Sequence, residues 1–244
     1  MRAVALSLML AAMLGAGGPR RAAHPALKYA TFLGTSNQDA IIGVKLDASG
    51  MLYVVGYTDS SDLVATAGAY RETSAGGRDI FVAKFDPEKE GPESLVYLTY
   101  LGGSGADTPT AMTVDAAGNV YITGSTTSTD FPLGGETPQT SSGGATDAFV
   151  VKLNPAIPGE FALTFSTYLG GDERDVGYAI DVDAAGAIYV AGLTKSENLP
   201  LAGAPVQQGR WGEQDGFVAK FDPALPAPNS RVYTTYLGGS DVEE

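Results

Sequence analysis

Short runs of β-branched and aromatic residues, each closed by glycine, proline, asparagine or aspartate, recur along the chain from Tyr29 to Gly239. In the middle of the chain four of them separate cleanly. Residues 111–115 (AMTVD) form strand a, and Ala116-Ala117-Gly118 turns the chain into strand b, residues 119–123 (NVYIT). A long loop leads to strand c, residues 147–153 (DAFVVKL), which Asn154-Pro155 interrupts. Strand d, residues 162–169 (ALTFSTYL), ends at Gly170-Gly171. Val, Ile, Tyr, Phe and Thr between such breakers predict strands. Phe149-Val150-Val151 does not alternate with polar residues, which predicts sheets covered on both faces. Beyond the first residues no segment keeps a helical period.

The pattern repeats. Leu33, Leu101, Leu169 and Leu237 each sit in Phe-Leu-Gly or Tyr-Leu-Gly, spaced by 68 residues without a gap. Asp39, Asp107 and Asp175 fall in register, as do Asp47, Asp115 and Asp183, and Asp79, Asp147 and Asp215. Tyr53, Tyr121 and Tyr189, Gly56, Gly124 and Gly192, and Phe81, Phe149 and Phe217 follow the same step. A fixed period of this kind marks a repeat architecture.

Four strands per period, covered on both faces, are what a propeller blade requires, since neighbours sandwich each blade. A β-solenoid is the competing architecture, but its coils are usually much shorter. The expected fold is all-β: a β-propeller fragment of three four-stranded antiparallel blades of 68 residues, plus an N-terminal strand. The expected divisions are a leader over 1–24, a d-like strand over 29–37, and blades over 39–103, 107–171 and 175–239. Propellers close with roughly four to eight blades, so the ring is incomplete. Residues 29–33 (YATFL) stand where a closing strand would begin. Polar capping repeats, usual at the ends of stable arrays, are not visible. Both end blades are therefore expected to show an apolar face, and to be covered by further blades of a longer chain or by self-association.

Residues 100–104 (Tyr-Leu-Gly-Gly-Ser), 114–124 (Val-Asp-x-x-Gly-Asn-Val-Tyr-x-Thr-Gly), 128–132 (Ser-Thr-Asp-Phe-Pro) and 147–153 (Asp-x-Phe-Val-x-Lys-Leu) together resemble the SBBP family of bacterial β-propeller repeats. The family name refers to a seven-bladed ring. The resemblance covers residues 29–239 and implies a secreted or cell-surface bacterial protein, with no catalytic motif to carry over. The third copy departs at Glu197-Asn198-Leu199-Pro200, and the first further at Ser61-Asp62-Leu63-Val64.

Arg2, an apolar run over 3–16, then Gly17, Gly18 and Pro19 fit a secretory signal peptide. The run is shorter than the about 20 residues of a membrane span; the other reading is a buried N-terminal helix. The chain carries 15 Lys+Arg against 28 Asp+Glu, a net charge of -13, which disfavours nucleic acid and anionic membranes. It has no cysteine, and therefore no disulfide, thiolate site or thiol nucleophile.

In a four-stranded blade the b–c and d–a connections share one rim. The b–c loops are long, and long loops on a rigid scaffold are where binding usually lies. That rim is the expected contact surface for an extracellular protein or glycan, with Trp211, the only tryptophan, and Arg210 as candidate ligand-binding residues. The alternative for Trp211, and the preferred one, is that it plugs a neighbouring blade. Asp39, Asp107 and Asp175 open strand a beside the channel and are candidate Ca²⁺ ligands. The alternative, and the preferred one, is that each accepts N–H bonds in a glycine-rich turn. No other cofactor is expected. Asp47, Asp115 and Asp183, each three residues before a glycine, read as hairpin turns. The only histidine is His24, at the leader boundary, so a Ser-His-Asp triad or a histidine-built metal site is not available. The expected function is a non-enzymatic extracellular module binding through that rim. A structural surface spacer is the alternative, and a carboxylate-based polysaccharide hydrolase the weaker one.

Overall fold

The computed structural model describes residues 27–240; the expected leader lies outside the described residues. Three separate four-stranded antiparallel sheets follow one another along the chain. Blade 1 comprises β1 (Asp39–Leu46), β2 (Leu52–Thr58), β3 (Asp79–Phe85) and β4 (Leu95–Leu101). Blade 2 comprises β5 (Asp107–Val114), β6 (Val120–Thr126), β7 (Asp147–Leu153) and β8 (Leu163–Leu169). Blade 3 comprises β9 (Asp175–Val182), β10 (Ile188–Thr194), β11 (Asp215–Phe221) and β12 (Arg231–Leu237). In each blade the strands pair in chain order, a to d. The sheets do not close into a ring.

Strand a begins at Asp107, earlier than the hydrophobic pattern predicts. A bulge between Pro109 and Ala111 re-aims the strand, and the same bulge recurs between Ile41 and Gly43. Thr108-Pro109 hides this half of the strand from a propensity reading. The a–b turn places Gly50, Gly118 and Gly186 at φ of 87°, 80° and 89°, the left-handed region that favours glycine. The Asp side chain three residues before each glycine accepts turn N–H groups; Asp115 takes those of Ala117 and Asn119, both at 2.9 Å.

Blades pack face to face, and the same positions form each seam. The forward face of blade 1 (Tyr53, Val55, Ile80, Val82, Tyr97, Leu101) is buried against Val120, Ile122, Phe149, Val151 and Leu153 of blade 2. The forward face of blade 2 (Tyr121, Ala148, Val150, Phe165, Leu169) is buried in the same way against Ile188, Val190, Phe217, Ala219 and Phe221. Apolar burial at about 25 cal/mol per Å² drives both seams, and one blade alone could not supply it.

Both ends of the stack show apolar side chains, Ile41 and Leu46 at one and Leu237 at the other, but the two ends differ. Residues 29–33 pair with no strand among the described residues, yet Tyr29 and Leu33 cover the rear face of blade 1 beside Val54 and Phe85. Tyr29 meets Phe85 at 6.3 Å and 54°, and Phe165 meets Phe221 in the next seam but one at 5.9 Å and 56°. The segment thus takes the packing of a strand d without its ladder, because no strand c lies beside it among the described residues. Blade 3 has no such cover, and Leu237 is 59% exposed.

Candidate functional site

The rim built from the b–c loops and the d–a turns is held by a latch that recurs at each blade. Ser128, in the loop leaving strand b, accepts two bonds: its Oγ takes the Gly105 N–H at 2.9 Å, while its carbonyl takes the Tyr168 hydroxyl at 2.8 Å. Ser196 does the same for Glu173 N–H and the Tyr236 hydroxyl, at 3.0 and 2.9 Å. Asp130 then receives the Ser104 N–H and hydroxyl, and Asn198 receives the Asp172 N–H. Phe131 closes the latch by entering the core and stacking on Phe149 at 4.9 Å. The Ser-Thr-Asp-Phe-Pro run is therefore a clamp between a loop and a turn. Its leucine versions, Leu63 and Leu199, are buried at the same place.

Beneath the latch lie buried carboxylates. Asp107 accepts Gly103 N–H at 2.7 Å, the Ser128 hydroxyl at 2.9 Å and the Thr126 hydroxyl. Asp175 accepts Gly171 N–H and the Ser196 hydroxyl, both at 2.8 Å. Asp39, their counterpart in blade 1, is only half-buried and accepts Thr35 N–H at 2.7 Å. These three residues stand one blade apart, each bound into its own turn. Among the described residues, no three His, Cys, Asp or Glu side chains gather where a metal could be held.

Each inter-blade seam instead brings together two carboxylates that the sequence reading kept apart. Asp79, opening strand c of blade 1, and Asp107, opening strand a of blade 2, flank Gly102. A Cβ on that glycine would stand 2.6 Å from Asp107 Oδ2 and closer still to Asp79 Oδ1. Asp147 and Asp175 flank Gly170 in the same way. Asp79 uses Oδ2 for the Ser74 hydroxyl (2.6 Å) and Ala75 N–H (2.9 Å), while its Oδ1 is buried without a partner. Arg71 comes nearest as a counter-charge, donating to the Gly102 carbonyl at 2.7 Å.

Burial pushes the Asp147 carboxyl up to about 6, the amides of Gly143 and Gly144 resisting and the Asp175 charge adding to the rise. Burial also raises Asp79, Asp107 and Asp175. A carboxyl whose folded-state pKa is raised stabilises the fold below its unfolded value and loses that stabilisation as pH rises through the folded value. Asp130 behaves oppositely, since the Ser104 amide holds it low, and its contribution disappears as pH falls through that range. The melting temperature should therefore climb as pH drops from about 7.5 to about 4.5, then fall in stronger acid. Asp79→Asn puts an amide donor at the unpartnered oxygen, facing Asp107. It should add roughly 1 kcal/mol at neutral pH and nothing near the unfolded carboxyl pKa. A variant that melts lower than wild type at neutral pH would contradict this account.

Trp211 and Arg210 sit on the rim at the end of the blade 3 b–c loop. Trp211 is 60% exposed, while its backbone N–H donates to Asp215 Oδ2 at 2.9 Å. Arg210 is held by Glu197 at 3.1 Å and by the Gly212 carbonyl. The structure thus presents an aromatic face on a fixed backbone, with the guanidinium engaged close to it.

A family model describing a beta-propeller repeat, SBBP, matches residues 96–132 and again 164–200. Each match runs from strand d of one blade through the d–a turn to the proline of the latch in the next, so it spans a seam. No curated protein matches the chain.

Proposed function

The chain is built of SBBP β-propeller repeats, and from that premise we propose that it is a non-enzymatic extracellular module that binds glycan through the rim of b–c loops and d–a turns. The observation that carries this reading is Trp211, an exposed ring on an anchored backbone at that rim. Aromatic faces of this kind bury area with little loss of side-chain freedom. The leader-like start of the sequence supports export, and the net charge of -13 argues against nucleic acid. The paired carboxylates of the seams do not favour hydrolysis, because Asp79, Asp107, Asp147 and Asp175 are all buried away from any substrate. Latched loops equally suit a spacer, in which the rim only covers blade edges.

Screening the full chain on a glycan array should give a specific hit, and Trp211→Ala should weaken it roughly tenfold or more. An array without hits, or a hit that ignores Trp211→Ala, would return the rim to a covering role. Binding to proteins alone would replace glycan as the ligand class.

A further inference from the structure

Six positions on the forward face of a blade are buried in both seams: Tyr53, Val55, Ile80, Val82, Tyr97 and Leu101 in blade 1, and their counterparts in blade 2. In blade 3 the same positions are open. Tyr189 is 38% and Leu237 59% exposed, and Val218 and Tyr233 are half-buried. At the other end of the stack, the rear face of blade 1 is covered only in its outer half. Residues 28–33 leave a groove of about 240 Å³ against strands a and b, lined by Ile41, Val44, Leu46 and Leu52. Ile41 and Leu46 are exposed there.

The open face of blade 3 and the half-covered face of blade 1 match. Strand d of blade 3 reads Tyr233-Thr-Thr-Tyr-Leu237, and the covering segment reads Tyr29-Ala-Thr-Phe-Leu33. Tyr, Thr and Leu recur at the positions that pack, so β12 carries the side chains that Tyr29 and Leu33 already place against Val54 and Phe85. A whole blade brings strands b and c as well, and these would fill the groove that the lone segment leaves. The segment is held on one side only, and Phe32 on its other side is 74% exposed.

We propose that the forward face of blade 3 docks onto the rear face of blade 1 of a second copy of this chain, displacing that copy's residues 29–33. The contact continues the seam that the molecule already forms twice. It is heterologous, using different patches on the two copies, and such a contact closes a ring when the rotation permits. Two copies make six blades, within the roughly four to eight of known rings. Asp215 of one copy would then meet Asp39 of the other, as Asp79 meets Asp107.

Sedimentation of the full chain from low to high micromolar concentration tests this. A concentration-dependent species of twice the chain mass, or a longer head-to-tail series, is expected. Leu237→Glu on the donating face and Leu46→Glu on the receiving face should each abolish it while leaving the far-ultraviolet circular dichroism unchanged. Val206→Glu, on an exposed loop position of the same blade, should leave it intact. A monomer throughout, or an oligomer indifferent to both face variants, would overturn the proposal and leave the faces to a different sheet. Both faces lie away from the rim, so glycan binding is tested separately.

Discussion

Gly124→Val should cost ~4 kcal/mol or more, enough to unfold a typical domain at physiological temperature. Gly124 lies in β6 opposite Pro109, where the bulge of β5 folds backbone over the strand. A Cβ there would land inside the Thr108 carbonyl oxygen, 2.8 Å from Pro109 Cα and 3.0 Å from the Phe149 ring. Two of these obstacles are backbone, so no rotamer change relieves the clash, and valine adds two methyl groups to it. Gly56 and Gly192 face the Ala40 and Val176 carbonyls in the same way. Gly186→Ala is the contrasting case. Its Cβ would meet nothing within 4 Å, and only the φ of 89° opposes it, a penalty of about 1 kcal/mol. Chemical denaturation followed by circular dichroism separates the two. A Gly124→Val protein with a denaturant midpoint close to that of wild type would refute the close-approach reading.

How much of this was visible beforehand follows the range of the interactions. Strand c of the middle blade, residues 147–153, is legible to the residue, because Asp starts it, an apolar run fills it and Asn154-Pro155 ends it. Strand a is legible only in its second half. Its first half contains Pro109 and a bulge, and its place is decided by pairing with β6 rather than by propensity. Strand d begins one residue later than read, after a 3-10 turn over Gly159–Ala162. The repeat step discloses the seams in principle, since one sheet cannot cover its own faces. Which residues meet across them depends on how one blade is turned against the next. Asp79 and Asp107 recur faithfully in the chain, yet nothing in their spacing says that one glycine separates them. The same holds for Ser128 and Phe131, whose motif is plain while its clamping role appears only with Gly105 and Tyr168 beside it. Residues 29–33 read as a strand, and their use as a cover could not be read, because a ladder and a packed face leave the same apolar pattern.

Phe149→Ala should cost about 5 kcal/mol and Phe81→Ala nearer 3 kcal/mol, at the two ends of the usual range for such truncations. The two phenylalanines hold equivalent places in strand c and are equally buried, at 0% and 1% exposure. Their surroundings differ in what can move. Phe149 is stacked on Phe131 and closed in by the laddered strands of blade 1, so the cavity left by alanine persists and the orphaned ring loses its partner. Phe81 has Leu63 where Phe149 has Phe131, and its cover includes Tyr29 and Leu33, on a segment without ladder hydrogen bonds. That segment can settle into the space, and partial collapse is what reduces the cost of a large-to-small change. Denaturant midpoints for the two variants, at a protein concentration where the chain is monomeric, give the comparison. Equal losses would mean that residues 29–33 resist displacement as firmly as a complete blade, and exchange with a second copy would then lose its physical basis.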